Sequence, residues 1–337
     1  MTWYALSMTL PDLPPDLKAA LAAKAEGLSR GDAAKRASAM SENYRGGGTS
    51  APIRTERDAL AYALARMPAT YAAIAASLHA LREQHPGFAP ATLLDVGAGP
   101  ATASWAASQA FDSLDSFAAI DANAALRALA CDSVQSSRLA SLRYVESDVL
   151  AGLAAMESAD LVIASYVINE LNDADRDTLA DLMWQKTRDT LLVVEPGTPK
   201  GYERILALRG RLIAQGAHVV APCPHDRACP LMPPDWCHFS QRLSRSRAHK
   251  QLKGAEVPFE DERFIYVALS RSPPMAHPAR VLAQPALNKV AVTAKLCTTA
   301  GLAFATIPRR DKVAYAAARR WDWGDAVPHP AGDKPAE

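Results

Sequence analysis

With 337 residues, 49% of them hydrophobic, and a formal net charge of +1, the chain can bury one large core with appendages, about two domains. That balance excludes a disordered polyelectrolyte and says nothing of nucleic acid, so charge has to be read locally. No run approaches the roughly 18 apolar residues that span a bilayer. Met1-Thr2-Trp3-Tyr4-Ala5-Leu6 lacks the basic start and apolar core of a signal peptide, so a cytoplasmic protein without structural disulfides is the expectation.

Residues 1–89 read as an N-terminal helical region. Leu60, Leu64, Met67, Tyr71, Ile74, Leu78 and Leu81 recur at intervals of four and three, one apolar stripe on a helix. Thr55 and Asp58 have the spacing of a capping box, and Pro68 predicts a kink. Tyr44-Arg45-Gly46-Gly47-Gly48-Thr49 reads as a flexible loop between helices. From residue 90 to 270 short apolar strands alternate with helices, which predicts a parallel sheet covered on both faces. The strands are expected at Thr92–Val96, Ser116–Asp121, Leu142–Glu146, Asp160–Ser165, Thr190–Glu195, Ala217–Ala221 and Arg263–Ser270. The last two are separated by a Cys-rich insertion over 222–255. Residues 271–326 read as a small β extension ending in a helix over Lys312–Trp321, and 327–337 as a disordered tail.

Leu94-Asp95-Val96-Gly97-Ala98-Gly99-Pro100 is a strand breaking into glycines before a helix, where backbone can approach a ligand and free N–H groups await it. Asp121, at the end of the next strand, is placed to accept ribose hydroxyls. Asp148, after the third strand, is placed to take an adenine amino proton, and Asp95 lies near the amino-acid end of such a ligand. A pyrophosphate site would favour a full GxGxxG, whereas Pro100 and Ala101 follow the second glycine. The set looks like a class I S-adenosylmethionine-dependent methyltransferase, Rossmann-like with a seven-stranded sheet.

Cys223, Cys229 and Cys237 crowd into the insertion, and Cys297 follows in the β extension. Thiolates are the soft ligands of zinc and of iron–sulfur clusters. Paired spacings of two to four residues, usual for structural zinc, are absent; wider intervals suit a larger cluster, but spacing alone leaves both open. The tight CxxxCxxC of radical adenosylmethionine enzymes is also absent. His225 and His238 are alternative ligands, though a His among such cysteines more commonly supports them from behind. Cys131 lies on an Ala/Leu helix and reads as core. Arg242, Arg245, Arg247, Lys250 and Lys253 follow Cys237 with no acidic residue before Glu256, a solvated helix face or an RNA-phosphate contact.

Several runs together resemble the Rsm-twenty-two type of methyltransferase-like family, which includes mitochondrial small-ribosomal-subunit assembly factors and bacterial relatives. They are Tyr62-Ala63-Leu64-Ala65-Arg66-Met67-Pro68-Ala69-Thr70-Tyr71, the glycine loop, Val194-Glu195-Pro196-Gly197-Thr198-Pro199 and the Cys-Pro-His…Cys-Pro-Leu…Trp-Cys-His-Phe insertion. Phe259-Glu260-Asp261-Glu262-Arg263-Phe264, Cys297 and Trp323-Gly324-Asp325 complete them. The resemblance covers about residues 40 to 325. It implies a methyltransferase-like fold, a 4Fe-4S cluster on Cys223, Cys229, Cys237 and Cys297, and a role on small-subunit rRNA. Ala101 departs from the family, which more often has glycine there.

The position after the fourth strand reads Ser165-Tyr166-Val167-Ile168-Asn169-Glu170-Leu171, without the Asn/Asp-Pro-Pro-aromatic of base-amine methylation and without a nucleophilic cysteine. Asn169 and Glu170 are the candidates to orient an acceptor, although capping the next helix suits them better. The leading expectation is an assembly and binding protein for small-subunit rRNA, with S-adenosylmethionine as a structural ligand. The alternatives are an active rRNA methyltransferase and a zinc-stapled methyltransferase of another substrate.

Overall fold

The computed structural model describes residues 11–46, 48–245, 249–250, 253 and 256–329. Arg247, the opening six residues and the tail from 330 onward lie outside them. Strands β1 (Thr92–Val96), β2 (Ser116–Asp121), β3 (Arg143–Glu146), β4 (Ala159–Ser165) and β5 (Thr187–Pro196) pair in parallel. β6 (His218–Ala221), β7 (Phe239–Ser244) and β8 (Phe259–Ser270) complete the sheet, whose order is β3-β2-β1-β4-β5-β8-β6. β8 enters antiparallel between β5 and β6. This is the Rossmann-like α/β fold of class I S-adenosylmethionine-dependent methyltransferases. Leu93, Leu94, Val96, Leu161, Val162, Ile163 and Leu191 through Val194 are buried, the continuous apolar pattern of strands covered on both faces.

Among the described residues the sheet has eight strands, not the seven expected. The extra one, β7, belongs to the insertion and pairs antiparallel with the first half of β8, from Phe239↔Phe264 to Ser244↔Phe259. Arg242 is therefore on a strand rather than on a helix face. Only Phe239 and Leu243 of β7 are buried, and so sparse an apolar alternation does not announce a strand.

One face of the sheet carries α3 (Glu56–Gln84), α4 (Thr102–Ala110) and α5 (Ala124–Ser133), with α1 (Pro15–Ala25) and α2 (Arg30–Arg45) outside them. Thr55 and Asp58 form the expected capping box of α3, and the helix continues through Pro68. Met67, Ile74, Leu78 and Leu81 supply its fully buried stripe. The other face carries α6 (Val149–Leu153), α7 (Asp173–Lys186) and α8 (Pro199–Ile213). Beyond β8, strands β9 (Ala279–Val281), β10 (Ala286–Leu287), β11 (Ala291–Thr298), β12 (Gly301–Pro308) and β13 (Ala326–Val327) form a second sheet with α9 (Lys312–Ala318). It has its own small core around Val292, Leu296 and Ile307.

Two backbone positions control how helices leave the first sheet. Between β5 and α8, Thr198 caps α8 by accepting from the Gly201 N–H at 3.1 Å, and a Cβ on Gly201 would lie 2.0 Å from the Pro196 carbonyl oxygen. Ala101, the residue before α4, has φ of 61° and is fully buried, a left-handed conformation that favours glycine. Gly201→Ala is expected to cost about 1–3 kcal/mol from overpacking. Ala101→Gly is expected to stabilise by up to about 1 kcal/mol, relief of left-handed strain outweighing the flexibility gained by the unfolded chain. Denaturant unfolding of both variants checks the opposite signs.

Candidate metal centre and donor site

The glycine loop sits at the C-terminal edge of β1 and is pinned by its neighbours. Gly97 and Ala98 donate N–H groups to the Ile120 carbonyl at 2.9 and 3.1 Å, and the Tyr144 hydroxyl donates to the Gly99 carbonyl at 2.6 Å. Gly97 has φ of +66°, and a Cβ there would strike Val167 at 2.4 Å, so closeness to the post-β4 segment demands glycine. Gly99, with φ of +53°, has ordinary van der Waals space beside Leu126.

Asp121 accepts from the Gly99 N–H at 3.0 Å and the Asn123 N–H at 2.7 Å, closing the loop onto β2. A carboxylate has about four lone-pair sites, so two remain for ribose hydroxyls. Asp148 caps α6 through the Leu150 and Ala151 N–H groups. Asp95 is completely buried: its Oδ2 accepts from the Ser104 N–H and hydroxyl at 2.9 and 2.8 Å, and its Oδ1 has no partner. Burial raises its pKa to about 7 against the opposing Ser104 hydrogen bonds, with Asp121 adding to the rise.

The segment after β4 is tied from two sides. Glu170 accepts from the Ser50 N–H at 3.0 Å, while Asn123 Nδ2 donates to the Ser50 and Ile53 carbonyls at 3.2 and 3.0 Å. The stretch between α2 and α3 thus straps the ends of β2 and β4 together. Asn169 Oδ1 is buried without a partner. Neither Asn169 nor Glu170 caps α7; Asn172 does, accepting from the Asp175 N–H, because it is the residue immediately before the first helical turn. Tyr166 has φ of 57°, and its hydroxyl donates to Glu262, which also pairs with Arg66 at 3.3 Å. Two runs distant in sequence meet at that carboxylate.

All four expected thiols line one cavity of about 30 Å³, with Tyr202, Ile205, Arg209, Leu231, Ile265 and Arg280 among its walls. Cys297 comes from β11 and the other three from the insertion. The Tyr202 hydroxyl donates to Cys229 Sγ at 3.2 Å, and Cys297 Sγ lies 3.8 Å from His225 Nε2. Burial, and after it Cys223, Cys229 and Cys297 in that order, pushes the Cys237 thiol far up; burial drives Cys297 to about 12. Among the described residues no group of three or more His, Cys, Asp or Glu side chains is arranged to hold a metal ion as it stands.

The charge of this cavity bears on what fits it. Arg209 and Arg280 are 3% and 2% exposed, and among the described residues no Asp or Glu lines the wall. Arg209 donates through Nη2 to the His225 carbonyl at 2.6 Å while its buried Nε has no partner. Arg280 donates through Nε to the Pro222 carbonyl at 3.1 Å and through Nη1 to the Gly324 carbonyl at 2.7 Å. Buried cations without carboxylates are costly unless an anion joins them. Four thiolates around a metal core supply that anion, so the donor set and its surroundings fit such a group. His238 is taken up elsewhere, stacked on Trp236 at 5.2 Å and meeting Trp323 edge-on at 4.7 Å. Cys131 sits on α5 and packs against the core.

The basic run of the insertion is largely ion-paired. Arg242 holds Asp261 through two bonds of 2.7 and 2.8 Å, and Arg245 and Lys253 both hold Glu260, at 3.2 and 2.6 Å. Lys250 is half-buried. The sequence reading missed Arg209, Arg280, Arg66 and Glu262. A lone arginine in the apolar strand around Arg280, or in the run around Arg66, was the available signal; Arg209 on an amphipathic helix gave none.

The model of the family described as mitochondrial small ribosomal subunit Rsm22 matches residues 56–328. The human mitochondrial ribosome assembly protein METTL17 is 30% identical over 299 residues, covering 81% of this chain and 63% of its own length. Rsm22-cox11 tandem protein 2, mitochondrial, of Schizosaccharomyces pombe is 26% identical over 334 residues, covering 81% of this chain and 43% of its own. The chain therefore spans less than two thirds of these relatives. Among solved structures, the N-methyltransferase NodS of Bradyrhizobium japonicum with S-adenosyl-L-homocysteine aligns over 58% of this chain and 84% of its own. The identity is 14% and the TM-score 0.38, and nothing below rests on it.

Asp95 has a pH consequence. Its folded pKa, about 7, lies above the ordinary value of 3.8, so the folded state keeps a proton that the unfolded chain releases. Its contribution is full below about pH 4 and is lost as pH rises toward about 7. Asp95→Asn is expected to flatten the fall of stability between those values. Thermal melts across that range check it; an unchanged slope would exclude Asp95 as the source.

Proposed function

This chain belongs to the Rsm22 family, and from that premise we propose that it is a methyltransferase-like assembly and binding protein of the small ribosomal subunit. It would carry a 4Fe-4S cluster on Cys223, Cys229, Cys237 and Cys297, bind S-adenosylmethionine along Gly97, Gly99, Asp121 and Asp148 near Asp95, and contact rRNA. The single observation that carries this reading is the shared cavity of four thiols from two distant stretches, with two buried arginines in its wall. Support for a cluster over zinc comes from the spacing of the cysteines along the chain. The five- and seven-residue gaps between Cys223, Cys229 and Cys237 exceed the two-to-four usual for structural zinc. A bound cluster would supply a rigid inorganic cross-link and an electron-transfer centre.

The chain's own residues suit binding better than turnover. Glu170 is engaged by Ser50, Tyr166 by Glu262, and the post-β4 segment has neither a prolyl pair nor a cysteine. The four thiols would hold the insertion against β11, Tyr202 would donate to the Cys229 sulfur, and Arg209 and Arg280 would balance the added negative charge. Free cysteines suit a reducing compartment, for which the cytoplasm is the proposal. One observation favours the second reading, an active rRNA methyltransferase: Tyr166 holds a left-handed backbone conformation at the end of β4, and such strain concentrates at active sites.

Anaerobic purification is expected to give a brown protein with about four irons per chain, and Cys297→Ser to lose colour and iron together. A colourless, zinc-loaded protein would replace the cluster with zinc. Asp121→Ala is expected to lose S-adenosylmethionine binding by calorimetry yet support small-subunit maturation in a deletion strain. Loss of one specific rRNA methyl group in that strain, seen by mass spectrometry, would move the protein to the enzyme reading.

A further inference from the structure

The β extension holds a concentration of charge that the whole-chain balance hides. From Ala286 to Trp323 the sequence has seven Lys or Arg and two Asp, in a protein whose net charge is +1. Lys289, Arg309, Arg310, Lys312 and Arg320 are exposed, and among the described residues none of them enters an ion pair. The basic residues of the insertion behave oppositely, since Arg242, Arg245 and Lys253 face the acidic start of β8.

The topology brings four of these cations to one end of the β11–β12 hairpin. Ala291 pairs with Pro308, and the Arg309 N–H donates to the Val290 carbonyl at 2.7 Å, so Lys289 and Val290 lie beside Arg309 and Arg310. Asp311 spends its carboxylate on capping α9 through the Ala314 N–H, and Lys312 follows it. Along β12, Ala303, Ala305 and Ile307 are buried, the last two in the small core, while Phe304 and Thr306 face outward. Phe304 is 61% exposed, an unusual place for a phenyl ring in a strand. From Phe304 to Arg309 is about 16 Å of extended chain, long enough to follow a short run of nucleotides.

We infer that this face binds single-stranded RNA, with Lys289, Arg309, Arg310 and Lys312 on phosphates and Phe304 stacking on a base. Charge complementarity selects a polyanion, and an exposed aromatic on a strand beside a basic turn matches the platform-and-groove logic of single-strand binding. The inference deepens the proposed rRNA contact and rests on it, but moves that contact from the insertion to the β extension.

The test uses the full chain and a 5′-fluorescein-labelled, unstructured 12-nucleotide RNA, read by anisotropy across a salt series. Arg309→Ala/Arg310→Ala/Lys312→Ala is expected to weaken binding about 10- to 100-fold and flatten the salt slope by about 2. Phe304→Ala is expected to weaken it about 5- to 100-fold with the slope unchanged. Arg242→Ala/Arg245→Ala is expected to stay within about twofold, because those cations already have partners. Circular dichroism melts confirm that each variant is folded. If the wild type binds and the triple variant matches it, this surface is wrong and the rRNA reading stands. If the wild type does not bind, both fall. If polyglutamate displaces the probe as well as polyuridine does, or Phe304→Ala has no effect, the face is an acidic-protein site or a nonspecific one, and the inference is overturned.

Discussion

Arg280 is the residue on which the arrangement of the thiols depends. It stands directly across from Cys297 in the β9–β11 pairing, so the two side chains leave the same face of the second sheet. From there its guanidinium reaches the carbonyl of Pro222, the residue before Cys223, and the carbonyl of Gly324 in the returning chain. A single buried cation thus binds the insertion, the β extension and the last turn before β13. Its burial without a direct ion pair is tolerable because two carbonyl dipoles solvate it, the Asp325 carboxylate acts on it from beside Gly324, and four sulfurs line the same cavity. Around it the contacts repeat in weaker form: Arg227 to the Thr299 carbonyl, Lys295 to Asp235, and Trp323 against His238.

The donor site is organised by the same economy of buried polar groups. The carboxylates of Asp95, Asp121, Asp148 and Glu170 each hold backbone N–H groups at the C-terminal ends of the parallel strands. They shape the loop before they could touch any ligand. The Ser50 strap draws the helical region into this edge, linking Asn123 after β2 to Glu170 after β4. On the far side Arg66 of α3 reaches Glu262 of β8 and, through it, Tyr166. The N-terminal helices are therefore part of the donor edge rather than a separate appendage.

The central strands were legible because burial on both faces writes itself as unbroken apolar runs. β1 and β2 begin and end where the sequence places them, and β4 differs by one residue. β7 was not legible: its outward residues are paired with charges on β8, and that pairing exists only after Phe239 and Leu243 are buried. The basic run illustrates the same limit. Read along the chain it is an unopposed cluster of cations, because Glu260 and Asp261 come later in sequence and lie across the hairpin in space. The helix cap at Asn172 was also missed, since Asn169 and Asn172 differ only in which one precedes the first helical turn.

The sequence by itself determined the alternation of strands and helices, the glycine loop with its acids, and the list of thiols, since each is a local matter of periodicity, backbone freedom or ligand type. Tertiary structure alone decided which charges are free and which are spent. It brought Cys297 to the other three through the β9–β11 register, set two arginines beside them, paired Arg242, Arg245 and Lys253 of the insertion with acids of β8, and left the cations of the β extension unpaired among the described residues. Ion pairing and desolvation are properties of neighbours in space, and in this chain such neighbours lie as much as 196 positions apart, as Arg66 and Glu262 do.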